Sequence, residues 1–89
     1  MSRPQVVVPN ISMSGTHPSE LLAQYFLWLQ SLHEAHQAVL QCAPNGRDYF
    51  QEAGKMKAAC VQHSRWREWV EEMIQDATAV ISGIQEQSP

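Results

Sequence analysis

Pro44-Asn45-Gly46-Arg47-Asp48-Tyr49-Phe50 separates two stretches of helical pattern, and it gathers turn residues, both charge signs and two aromatics in one short run. Proline presets φ and glycine accepts the left-handed conformation that ends a helix, so Pro-Asn-Gly predicts a reversal of the chain. At its tip Arg47, Asp48 and Tyr49 supply a planar cation, an acceptor and a stacking face. Those are groups that recognition of a nucleotide-like anion requires.

Upstream of the turn, Leu22, Tyr25, Leu29, Leu32, His36, Val39 and Ala43 alternate by three and four, which keeps one helical face toward a partner. Thr16 or His17 is the expected cap, with Pro18 in the first turn and Glu20 behind it. Downstream, Met56, Ala59, His63, Trp66, Val70, Met73, Ala77, Val80 and Ile84 repeat the pattern, and Cys60, Ile74 and Ile81 widen it. Asp48 with Gln51 reads as a capping box for this second helix. Gly54 disfavours the first turns by roughly 1 kcal/mol, however, and moves the expected start to about Ala53.

The expected fold class is therefore all-α: an antiparallel two-helix hairpin with an extended N-terminal arm, assembling into a homo-oligomeric helical bundle. The arm covers residues 1–16, the hairpin 17–86 and a tail 87–89. Within the hairpin the first helix takes about 17–43, the turn 44–52 and the second helix about 53–86. Counting outward from the turn puts Trp28 level with Trp66 or Trp69, and Leu22 level with Met73. The second helix then overhangs the first at its far end, where Val80, Ile81 and Ile84 need cover that Val6-Val7-Val8 of the arm can supply. Leu21, Phe26, Trp28 and Leu40 widen the first helix beyond one seam, which a lone hairpin cannot bury.

Charge along the second helix opposes its dipole. Lys55, Lys57, Arg65 and Arg67 lie in the first half and Glu68, Glu71, Glu72 and Asp76 in the second. Antiparallel pairing of two copies, or an anion near the turn, would compensate; a solvated face is the plainer reading. The 89 residues make one small domain with a net charge of -3, which argues against binding nucleic acid through bulk positive charge. The valine run is too short for a signal peptide or a membrane span, so no membrane partner is expected and the chain reads as cytoplasmic. Cys42 and Cys60 form no C-x-x-C pattern.

His33 and His36, and Cys60 and His63, are pairs one helical turn apart that together could hold zinc. His33-Glu34-Ala35-His36 is one residue short of the H-E-x-x-H spacing, and His36 and His63 fall on the core stripe. Packing is the preferred reading and a metal site the alternative. No cofactor is expected. The serines lie in no nucleophile elbow and neither cysteine has the surroundings of a reactive thiol, so the chain is not read as an enzyme. Ser14-Gly15-Thr16 offers a small anion-binding start to the first helix, with an ordinary cap as the simpler role. The tryptophans are first of all packing residues, Trp69 being the one that falls off the stripe and needs a partner surface.

An arm ending in Gly15-Thr16, followed by a hairpin whose turn reads Asn45-Gly46-Arg47-Asp48-Tyr49-Phe50, resembles a group of small proteins encoded in bacteriophage and prophage genomes. Ser14 stands where Asn commonly precedes Gly-Thr in that group, and Gln51 where Pro is frequent. The resemblance implies a phage accessory protein acting in the cytoplasm of the bacterial host. By analogy with phage sponges, it implies a non-catalytic role in anti-defence, sequestering a small anionic nucleotide-type signal of bacterial immunity. Asn45, Arg47, Asp48 and Tyr49, with Ser14, Gly15 and Thr16 of a second copy, would form that site. Arg47 would hold phosphate, Tyr49 would stack, and Asn45 or Asp48 would read polar edges. The alternative expectation is a helical protein-protein interaction module docking on a host or virion protein.

Overall fold

A computed structural model of the chain describes residues 5–87; the expectations for Met1–Pro4 and for Ser88-Pro89 lie outside that range. Helix α1 spans Pro18–Gln41, a short 3-10 turn spans Gly46–Asp48, and helix α2 spans Lys55–Gln87. No described residue is in a strand. Among the described residues no helix is long and apolar enough to cross a membrane.

The cap of α1 is His17. Its Nδ1 accepts the Ser19 amide at 3.2 Å and lies 2.8 Å from the Ser19 hydroxyl, while Pro18 occupies the first turn, where no amide is needed. At the other end the expectation that Gly46 takes the left-handed conformation is corrected, because the positive φ belongs to Gly54, at 80°. Helix α1 closes instead through the Cys42 amide on the Val39 carbonyl at 3.0 Å and the Ala43 amide on Leu40 at 3.3 Å. Asp48 lies in the 3-10 turn, so the Asp48-Gln51 pair does not open α2. The second helix begins just past Gly54, whose carbonyl accepts the Ala58 amide at 3.0 Å.

The register also differs from the count made outward from the middle of the turn. Glu71 stands beside His36, and His63 beside Val39, where the earlier count would have placed Ala59 and Met56. The connection between the helices runs from Cys42 to Gly54 and shifts the pairing toward the C-terminus of α2. Trp28 is thereby carried to the level of residues 74–79 and Leu22 to that of residues 80–85. From the His36–Glu71 contact outward, α1 has about 27 Å left to run and α2 about 24 Å. The two helices end together at the arm. The overhang lies at the turn, where α2 extends about two to three turns past α1.

The arm does close the far end of the hairpin. Val8 packs on Gly83, where an added Cβ would come within 2.7 and 2.8 Å of the two valine methyls. Gln87 fixes the arm's backbone, its Oε1 accepting the Ile11 amide at 3.0 Å and its Nε2 donating to the Pro9 carbonyl at 2.9 Å. Among the described residues the buried apolar side chains are Leu32, Ala77, Val80, Ile81 and Ile84, so the core sits mainly at this end.

Alanine in place of a helix-interior glycine ordinarily stabilises by about 1 kcal/mol. Gly83→Ala is expected to do the opposite, with a net loss on the order of 1 kcal/mol from the clash with Val8. Adding Val8→Ala should relieve it. A melting temperature that rises for the single variant would mean that the arm does not rest on Gly83.

Candidate functional site

The tip of the hairpin is built by Asn45, whose Oδ1 accepts the Arg47 amide at 3.1 Å and whose carbonyl accepts the Asp48 amide at 2.9 Å. An Asn side chain bonded two residues onward is the usual way such a turn is fixed. This leaves Arg47 and Asp48 exposed and Tyr49 half-buried, with Phe50 77% exposed beside it. Neither Arg47 nor Asp48 has a side-chain ion pair among the described residues. The tip thus presents one cation and one anion in open solvent, with the Phe50 ring exposed and the Tyr49 ring partly withdrawn.

Ser14, Gly15 and Thr16 lie at the other end, all exposed. The Gly15 amide donates to the Ser12 carbonyl at 3.3 Å, and the Ser19, Glu20 and Leu21 amides are all taken by His17. The donors that an anion would ordinarily meet at a helix start already serve the cap. An open depression of about 380 Å³ between Ile11, Ser12, Met13, Gly15, His17 and Pro18 marks the place where the arm turns into α1. Helix α1, of 24 residues, separates this end from the turn by about 36 Å. Within one protomer the two halves of the expected site do not meet.

The histidines resolve into structural positions. His63 is 7% exposed, and its Nε2 donates to the Val39 carbonyl at 2.7 Å. That carbonyl also accepts the Cys42 amide, so α2 helps to cap the last turn of α1. His36 donates through Nε2 to Glu71 Oε1 at 3.3 Å, with the Arg67 guanidinium 3.7 Å from the same oxygen. These side chains are partly solvated, so each pair contributes less than about 1 kcal/mol. Cys42 and Cys60 are exposed free thiols and His33 is exposed. Among the described residues no three of His, Cys, Asp or Glu converge on a metal position.

A larger feature lies on the long side of the hairpin away from His36, Arg67 and Glu71. Trp66, Trp69 and Met73 follow one another at spacings of three and four on α2, and are 43, 53 and 39% exposed. Trp28 of α1, 40% exposed and edge-on to Tyr25 with ring centroids 6.3 Å apart, borders the same side. Gly83 and Gln87, the residues that receive the arm, stand two heptads beyond Trp69 and Met73 respectively. The described part of the arm, from Gln5 onward, therefore covers one end of a continuous stripe, and at its other end Trp66, Trp69 and Met73 are exposed. Sequence reasoning singled out Trp69 but placed Trp66 and Met73 in the intramolecular seam. A shift in register cannot be seen in a three-four alternation, because each candidate register offers an apolar face.

No protein family, no characterised protein and no solved structure matches this chain.

Replacing His63 by Ala should cost about 1–2 kcal/mol, through loss of the bond to Val39 and of buried volume. In the parent protein the imidazole nitrogen shifts should report the tautomer with hydrogen on Nε2. A resonance pattern with the hydrogen on Nδ1 would contradict the geometry described.

Proposed function

We propose that this protein is a non-catalytic helical interaction module that works through the open aromatic side of its hairpin. The observation that carries the reading is the stripe of Trp66, Trp69 and Met73, bordered by Trp28, on a hairpin too thin to cover it. Large aromatic side chains at about half exposure keep about half of their area for a partner, and Trp is prominent among the residues that dominate interface energetics. The rest of the fold supports this side mechanically, since the arm and the buried residues from Ala77 to Ile84 hold α2 in place directly beside it.

A second reading is favoured by one observation, the exposed Arg47 and Asp48 without ion pairs on a turn that Asn45 fixes. On that reading the protein sequesters a small anionic nucleotide-type signal, the anti-defence role that the phage resemblance implies. Arg47 would pair with phosphate and Tyr49 would stack. It ranks second because the Asn45 side chain already accepts from Arg47 and the Tyr49 ring is half-buried.

One pair of substitutions separates the readings. Trp69→Glu should abolish association, whether with another protein or with itself, while circular dichroism stays fully helical. Arg47→Ala should leave association intact. If mass spectrometry of extracts from the purified protein finds a bound nucleotide that Arg47→Ala and Tyr49→Ala lose and Trp69→Glu keeps, the turn is the working site. A Trp69→Glu protein that associates like the parent would defeat the interaction reading.

A further inference from the structure

The open stripe invites an occupant, and the charges beside it say which. We propose that the aromatic side is covered by the same side of a second copy, with the two α2 helices running antiparallel about a two-fold axis near Val70 and Glu71. This rests on the interaction reading above and names the partner.

Two observations lead there. The first is shape. The protein extends 61 by 27 by 17 Å with a radius of gyration of 18.3 Å, whereas a compact chain of this length has about 12 Å. It is a rod one helix layer thick, and a hairpin of that form buries a single seam. One long side of the rod has ample room for the roughly 800 Å² per partner of a standard stable interface. A second hairpin laid on it completes a four-helix bundle, with the tryptophans in the new core.

The second observation is charge order. Basic Lys55, Lys57, Arg65 and Arg67 precede acidic Glu68, Glu71, Glu72 and Asp76 along α2, the reverse of what its own dipole favours. A parallel copy would set like charge against like. An antiparallel copy with its axis near Val70 and Glu71 sets each basic half against the other's acidic half. Arg65 and Asp76 are three helical turns apart, flank Trp69 on the same edge of the stripe, and exchange places under that axis. Arg67 and Glu71 pair with each other on the opposite side of the protomer and do not face the second copy. Arg65, exposed on the outer edge, is therefore the cation placed to reach across and join Asp76, in addition to the contact Asp76 makes within its own chain. The same axis carries the Arg47 turn of one copy beside the Ser14-Gly15-Thr16 bend of the other. The two halves that lie about 36 Å apart in one chain are thereby brought together between two.

Carbodiimide cross-linking of the intact protein tests the arrangement. Lys55 and Lys57 lie about 45 Å from Glu86 along one α2, so a zero-length link between them forms only across an antiparallel pair. Sedimentation should show a dimer, and peptide mapping should show Lys55 or Lys57 joined to Glu86. Arg65→Glu should weaken self-association about tenfold, and mixing it with an Asp76→Arg chain should restore binding as a heterodimer. A chain that stays monomeric at every concentration, or a dimer that lacks these links, overturns self-pairing. If a monomeric parent still holds a different protein that Trp69→Glu releases, the interaction reading stands without it; if Trp69→Glu changes no association of any kind, both fall.

Discussion

Gly83 is the point on which the described core depends. Its missing side chain lets Val8 press against the helix, and the arm then becomes the third wall of a hairpin that otherwise has two. Four of the five buried apolar residues, Ala77, Val80, Ile81 and Ile84, fall within one short segment of α2 around that contact. Gln87 fixes the arm's register from its side-chain amide, taking up one donor and one acceptor that an extended strand would otherwise leave to water. A residue with little helix propensity is thus kept where a larger one would have been better for the helix alone.

The turn end is held by different means. Helix α2 projects past α1 there, and the seam is fixed by a polar contact, His63 on the Val39 carbonyl, close to the half-exposed His36–Glu71–Arg67 group. Hydrogen bonds are directional, so they can set register where there is too little apolar area to do it. The rod consequently has an apolar end built by the arm and a wetter end built by side-chain bonds. The aromatic stripe lies between them on the side that neither covers.

The proposed function rests on that asymmetry. Tryptophans that a larger domain would bury remain on a surface whose far end the arm already closes, which gives the stripe one open direction and a defined length. Charges that oppose the helix dipole would gain a rationale if, as proposed, a second α2 ran the other way. The exposed Arg47 and Asp48 stand at the tip of the same rod.

The helical class, the two long helices and the turn between them were legible in the sequence, and of the valine arm Val8 does pack against α2 while Val7 is exposed. Period and turn chemistry are local properties, and Val6-Val7-Val8 had an evident apolar surface to cover. The identity of the left-handed glycine was not legible, since Gly46 and Gly54 both satisfy the steric requirement and only the path of the chain selects Gly54. Nor was the register, because a three-four alternation is nearly invariant when slid by a turn. Nor was the exact face that α2 turns to α1, which leaves Trp66 and Met73 partly on the surface. By itself the sequence determined which residues form a helical hairpin; only the tertiary structure decided which side of it stays open, because exposure depends on where the connection lets the helices meet.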